Sequence, residues 1–160
     1  MDRRMLDEQL WEMRVPMMRL AWSILRHAQN AEDAVSGAMV RAYQKIDTLQ
    51  DEKALRNWLM RITANACYDP LRKQKREKLW TQQQDASLLF ASPQENMLLE
   101  MIGLLPGATA EVITLYYYEN FSTAEIAQVL GISGATVRMR LSRGRKQLAR
   151  MMQEGEIGIE

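Results

Sequence analysis

The chain has 160 residues, 47% of them apolar and 26% charged, with 21 Lys plus Arg against 20 Asp plus Glu. This length suits one large or two small domains, and the near balance of charge excludes both an unstructured polyelectrolyte and an evenly basic nucleic-acid coat. One cysteine, Cys67, and one histidine, His27, leave no internal disulfide, no cysteine-rich zinc site and no pair of imidazoles for a metal or a proton relay.

Eight Gly, four Pro and twelve Met, set among stretches rich in Leu, Ala, Glu, Arg and Gln, predict an all-α protein. The N-terminus, MDRRMLDEQLWEMRV, is charged throughout and lacks a signal-peptide core. No stretch approaches the roughly 18 apolar residues of a membrane span. The expected location is cytoplasmic, without membrane insertion and without a cofactor.

The first module covers 1–78, with helices at about 4–13, 15–28, 31–46 and 54–77. Asn30 is the expected N-cap of the third, with Glu32 and Asp33 in its first turn. Trp11 and Trp22 are expected in the core. The fourth stretch carries Trp58, Leu59, Ile62, Ala66 and Cys67 near one face, which makes Cys67 a small buried hydrophobe. Pro70 predicts a kink or break near Asp69, since an interior proline costs roughly 3 kcal/mol. Residues 79–96, rich in Gln, Ser and Ala, read as a flexible linker, and Trp80 beside it as exposed.

The second module covers 97–152. Its EVITLYYYENF run is locally strand-prone, but Glu111, Val112, Leu115 and Tyr116 fit a helical spacing and no hairpin partner lies nearby. Ser122 with Glu125 forms a capping box, and Ile126, Ala127 and Leu130 face inward. Gly131 ends that helix in the left-handed conformation, Ile132 plugs the turn, and Ser133 caps a second helix. Val137, Leu141, Gly144 and Leu148 recur on one side of that helix, and its remaining circumference is basic. Gly144, costing about 1 kcal/mol of helix propensity, suggests close packing. Residues 153–160 read as a frayed acidic tail.

The charge is unevenly placed. Residues 79–137 contain six acids (Asp85, Glu95, Glu100, Glu111, Glu119 and Glu125) and no Lys or Arg. Basic clusters flank them: Arg72, Lys73, Lys75, Arg76 and Lys78 on one side, Arg138, Arg140, Arg143, Arg145, Lys146 and Arg150 on the other. Two separated basic surfaces suit phosphate tracking. A short helix, a Gly-containing turn and a basic second helix meet the needs of a major-groove reader. In that reading an exposed Thr136 contacts a phosphate or base edge, and Arg138 or Arg143 reaches guanine.

These residues resemble the sigma-70 family of RNA polymerase sigma factors, in its small extracytoplasmic-function (ECF) branch, over nearly the whole chain. LLPGATAEVITLYYYENFSTAEIAQVLGISGATVRMRLSRGRKQL is similar to the family's domain 4, which recognises the minus-thirty-five promoter element. AEDAVSGAMVRAYQKI and LRNWLMRITANACYDPLRKQKR resemble domain 2, which binds the polymerase clamp helices and opens the minus-ten element. The resemblance implies two small helical domains, a sigma domain 2 bundle and a sigma domain 4 helix-turn-helix. It implies polymerase contacts by Asp33, Ser36, Gly37, Met39, Val40 and Arg41. It implies DNA contacts by Arg56, Asn57, Arg61, Asn65, Arg72, Lys73, Lys75 and Arg76 in the first module, with the minus-ten loop at about Asp47 to Arg56. In the second it implies DNA contacts by Ser133, Thr136, Arg138, Arg140, Arg143, Arg145 and Lys146. Bacterial core RNA polymerase, promoter DNA and an anti-sigma factor are the implied partners, with no catalysis by the chain itself. Ser36 and Gly37 stand where the family usually has Gln and an acid, Met39 where it often has an aromatic residue, and Leu55 where it has Phe. The alternative is a stand-alone helix-turn-helix regulator that does not engage polymerase. A helical protein binding acidic partners and an acid-only enzyme are remoter classes.

Overall fold

The computed structural model describes residues 2–74 and 93–159, with side chains for 2–69 and 97–154. Seven α-helices carry the described chain: α1 Arg3–Leu25, α2 Ala28–Lys45, α3 Leu55–Gln74, α4 Pro93–Gly103, α5 Gly107–Ile113, α6 Thr123–Leu130 and α7 Gly134–Ile159. Two 3₁₀ turns, Ile46–Thr48 and Glu52–Ala54, lie between α2 and α3, and a π-helical turn, Thr114–Tyr118, extends α5.

Helices α1, α2 and α3 form the first bundle. Leu6, Leu10, Met13, Met17, Leu20 and Ile24 are buried at alternating four- and three-residue steps along α1, the spacing that keeps one stripe toward a core. Helix α2 opposes that stripe with Ala31, Ala34, Ala38 and Ala42, all buried, whose small side chains admit close helix approach. Cys67 is fully buried as expected, and burial pushes its thiol well above its usual range. The buried hydroxyls of Ser23 and Thr63 donate back to the carbonyls of Leu20 and Leu59, at 2.7 and 2.8 Å, so neither is left unsatisfied.

Four local expectations are corrected here. α1 is one helix, not two: Pro16 lies inside it. The carbonyl that loses its partner belongs to Glu12, an exposed residue where water replaces the bond. The expected break near Asp69 is absent: α3 runs through Pro70 to Gln74, because the packed turns ahead of the proline hold the helix and propagation tolerates one lost bond. The N-cap of α2 is His27, not Asn30: its Nδ1 accepts from the Asn30 amide at 3.2 Å, and the first turn holds no acid. Trp11 is 70% exposed with the Arg14 guanidinium 4.3 Å from its ring centroid, since an unbroken α1 turns it to the outer face, whereas Trp22 is buried. Trp80 lies outside the described residues.

Helices α4 to α7 form the second bundle around Leu99, Ile102, Val112, Ile113, Phe121, Ile126, Val137 and Leu141. α4 starts four residues inside the expected linker, and α7 runs on through the expected frayed tail; that tail contains no proline to stop it. The strand-prone EVITLYYYENF segment is helical through Tyr118, with its π-turn closed by Glu119 N–H to the Thr114 carbonyl at 3.3 Å. Gly144 is where α7 crosses α5: a Cβ there would fall 2.7 Å from Ile113 and 2.9 Å from Thr109, which accounts for a glycine at an unfavourable helical position.

The buried apolar side chains of both bundles form one cluster. Trp22 of α1 makes the seam tight, for a Cβ on Gly103 would lie 2.6 Å from its indole. The two modules are therefore packed on one another as well as joined by the chain.

Candidate nucleic-acid interface

The helix-turn-helix is built as its sequence dictates. Ser122 Oγ accepts from the Glu125 amide at 3.1 Å, and the Glu125 carboxylate accepts from the Ser122 amide at 3.0 Å. That amide, first among several donors, holds the Glu125 carboxyl below its usual range. Gly131 closes α6 with φ 68°, a conformation in which an L side chain clashes. Ser133 Oγ accepts from the Thr136 amide at 3.1 Å and caps α7. Ile126 and Val129 are buried, whereas Ala127, Leu130 and Ile132 are half-buried. Ile132 is a partial plug rather than a buried one.

The basic residues of α7 fall into two groups. Arg138, Arg143 and Lys146 are exposed, and the spacing of Arg138, Lys146 and Arg150 leaves a charged solvent face opposite the buried Val137, Leu141 and Leu148. Arg145 is exposed too but bonded to a neighbouring side chain, and Arg140 is half-buried. Arg145 Nε donates to the Tyr117 hydroxyl at 2.5 Å, a bond that raises the guanidinium's pKa. Arg140 turns toward Glu111. Thr136, expected to be exposed, is half-buried with its hydroxyl 2.8 Å from Ser133 Oγ, because it completes the cap.

On α2, Asp33, Ser36, Gly37 and Val40 are exposed, and their spacing of three and four residues gathers them on one face. Met39 is half-buried at its edge, and Arg41 pairs with Asp69 of α3 at 3.1 Å. Both partners of that pair are largely exposed, so it contributes at most about 1 kcal/mol. A Cβ on Gly37 would meet nothing within 4 Å. The polymerase-facing set predicted from the sequence is thus contiguous and open.

The α3 set is contiguous and only partly covered: Arg56 and Asn57 are half-buried, whereas Arg61 and Asn65 are exposed. Arg56 donates to the Glu119 carbonyl and stacks 4.1 Å from the centroid of Phe121. Asn57 bonds the Glu125 side chain. Arg61 Nη1 reaches the Gln128 carbonyl at 3.5 Å. Asn65 lines a cavity of about 470 Å³ with Tyr68, Glu111, Leu130, Ile132 and Arg140. The side chains of Arg72 and Lys73, and residues Lys75 and Arg76 entirely, lie outside the described residues.

The sequence did not point to the groups that hold this seam. Arg19 of α1 clasps Glu119 with two bonds, Nη2 to Oε1 at 2.8 Å and Nε to Oε2 at 3.2 Å, with both residues largely buried. Removing one partner of such a pair costs roughly 3–5 kcal/mol. Arg26, at φ 56°, donates to the Leu105 carbonyl, and burial lowers its pKa. The Tyr68 hydroxyl donates to the Glu111 carboxylate. Burial pushes that carboxyl up to about 7, overriding the opposing pull of Tyr68 and Arg140. The available signal was the pair of acids, Glu111 and Glu119, at either end of the apolar run 112–118.

A capped, Gly-turned helix pair with a basic solvent face, carried beside a second helical module, defines a two-part DNA-binding protein. Comparison with known proteins makes that class specific. The chain matches Sigma-70 region 2 over residues 12–77 and Sigma-70 region 4 over residues 95–148. It is 30% identical over 144 residues to the RNA polymerase sigma-E factor of Streptomyces avermitilis, covering 88% of this chain and 79% of that protein. It is 28% identical over 156 residues to the ECF RNA polymerase sigma factor SigW of Bacillus subtilis, covering 85% and 82%. A further relative, the probable sigma factor RfaY of Xanthomonas campestris, is 33% identical over 139 residues, 79% of this chain but 35% of that longer protein. Among solved structures, the sigma factor RpoE bound to the anti-sigma factor NepR from Bartonella quintana superposes with a TM-score of 0.77 at 25% identity, covering 91% of this chain and 96% of that one. The chain belongs to the sigma-70 family of RNA polymerase sigma factors, in its ECF branch, and serves transcription initiation. Among the described residues no helix is long and apolar enough to cross a membrane.

Proposed function

We propose that the exposed α2 face, centred on Asp33, Ser36, Gly37 and Val40, docks on bacterial core RNA polymerase, and that the two modules then read two promoter elements. The loop from about Asp47 to Arg56 and the start of α3 take the minus-ten strand, where an unstacked base is open on all its edges. The solvent face of α7 takes the minus-thirty-five duplex, with Arg138 and Arg143 at bases and Lys146 at phosphate. The chain itself catalyses no reaction and works in the cytoplasm. An anti-sigma partner follows by extension from the relative solved with one.

One observation carries the reading: the doubly capped α6–α7 corner aims exposed arginines away from a packed stripe, as groove insertion requires. Each module alone binds weakly, and polymerase fixes their separation so that the two sites act together. In run-off transcription by the reconstituted holoenzyme, Arg138→Ala or Arg143→Ala reduces discrimination between wild-type and scrambled minus-thirty-five elements by about tenfold or more per lost base contact. Lys146→Ala weakens binding evenly across sequences and flattens its salt dependence. Equal loss on both templates for all three variants would remove base reading from α7.

A further inference from the structure

The cavity of about 470 Å³ between the modules holds two opposite charges that do not pair. Its apolar wall is Ile24 of α1 with Leu130 and Ile132 of the α6–α7 corner. Its polar wall is Tyr68 of α3, Glu111 of α5 and Arg140 of α7. A Cβ on Gly107, also on the wall, would meet nothing within 4 Å, so the space is open there. Among the described residues Glu111 and Arg140 form no ion pair, although both face this space. The Tyr68 hydroxyl occupies only Oε2 of the Glu111 carboxylate, and no hydrogen bond within the described residues holds the Arg140 guanidinium. Each charge is partly withdrawn from water with pairing capacity left unused, an arrangement that is costly without a further partner.

A simple anion that pairs with Arg140 is repelled by Glu111, and a simple cation that pairs with Glu111 is repelled by Arg140. A molecule carrying a carboxylate, an ammonium and an apolar body satisfies both groups and the apolar wall together. We propose that this cavity binds such an amphoteric ligand, an amino acid with an aliphatic or aromatic side chain or a dipeptide of such residues. The ligand's carboxylate pairs with Arg140, its ammonium with the open oxygen of Glu111, and its apolar body packs on Ile24, Leu130 and Ile132. The volume falls within the roughly 300–1,000 Å³ of small-molecule sites, whose usual make-up is an apolar wall with a few convergent polar groups. The wall draws on both modules, so neither module alone completes the site. Its occupant touches Ile132 and Arg140, in the turn and the first half of α7, and its binding does not depend on what α2 or α7 meets outside.

The test is isothermal titration calorimetry of the full chain above pH 7, where Glu111 is charged. The probes are L-phenylalanine and L-leucyl-L-leucine. The N-acetyl derivative of each, lacking the ammonium, and the amide of each, lacking the carboxylate, are the single-charge controls. At least one probe binds saturably with a Kd below about 1 mM, and which one it is distinguishes amino acid from dipeptide. Both of its controls bind more weakly by about tenfold or more. Glu111→Gln removes the preference over the N-acetyl derivative and keeps that over the amide, whereas Arg140→Gln does the reverse. A variant that merely misfolds loses both preferences, and circular dichroism reports it. Ala108→Trp, at an exposed position on the cavity wall, blocks binding with the helical spectrum unchanged. The absence of saturable binding by either probe overturns the proposal. So do controls that bind as well as their parent probe, and so does binding undiminished by Ala108→Trp.

Discussion

Replacing Glu111 by Gln tests whether the seam holds a buried carboxyl at a net electrostatic disadvantage. The carboxyl is 3% exposed, faces Tyr68 of α3 and Arg140 of α7, and lies near Cys67. Its pKa rises from 4.5 to about 7 with burial as the leading cause. Between those values the folded protein binds more protons than the unfolded chain, so stability falls as pH rises. The destabilisation is absent below pH 4.5 and complete above pH 7. A shift of that size corresponds to about 3 kcal/mol at 1.36 kcal/mol per unit. Glu111→Gln keeps the size and removes the charge. Urea midpoints at a series of pH values from 5 to 8 should show the variant near wild type at the acid end and more stable by about 2–3 kcal/mol at the alkaline end. Subtracting the two curves removes every other titrating group. A flat difference curve, or a variant less stable than wild type at pH 8, would refute the reasoning and leave the hydrogen bond from Tyr68 as the dominant effect.

Gly144→Ala gains about 1 kcal/mol of helix propensity but puts a Cβ 2.7 Å from Ile113, and overpacking of this kind costs about 1–3 kcal/mol; thermal unfolding should show net destabilisation, and a raised Tm would contradict the packing. Ser122→Ala removes the acceptor for the Glu125 amide and should lower stability by about 1 kcal/mol in urea titration. Val40→Asp places a charge on the exposed α2 face and should weaken binding to core polymerase by about tenfold or more, measured by anisotropy, with the helical spectrum unchanged.

Local signals proved readable where they close within a few residues. The Ser122–Glu125 box, the left-handed Gly131 and the Val137–Leu141–Gly144–Leu148 stripe are short-range patterns whose hydrogen bonds or packing face follow from spacing alone. Proline was misleading because its penalty is local while the packing that outweighs it is not: α1 and α3 continue through Pro16 and Pro70. Trp11 was misplaced for a related reason, since reading α1 as two helices left its face undetermined. His27 outcompeted Asn30 as a cap because an imidazole nitrogen accepts as well as an amide oxygen, which a preference for Asn does not register.

The seam was the least legible feature. Arg19 and Glu119 are a hundred residues apart in sequence, and no periodicity reports such a meeting. The charge map marked only the acidic side: its basic clusters at 72–78 and 138–150 left out Arg19, Arg26, Arg56 and Arg61, which donate across the seam. The engagement of two α7 arginines was hidden likewise, because Tyr117, which bonds the exposed Arg145, and Glu111, which faces the half-buried Arg140, belong to other elements.

The most direct measurement is reconstituted transcription. The purified chain is mixed with bacterial core RNA polymerase, resolved by gel filtration, and the co-eluting fraction is given a library of promoter fragments. Co-elution is expected, with transcripts that start at defined sites downstream of two spaced elements and are absent with core alone. DNA binding without co-elution and without such transcripts would contradict it and leave a helix-turn-helix regulator in its place.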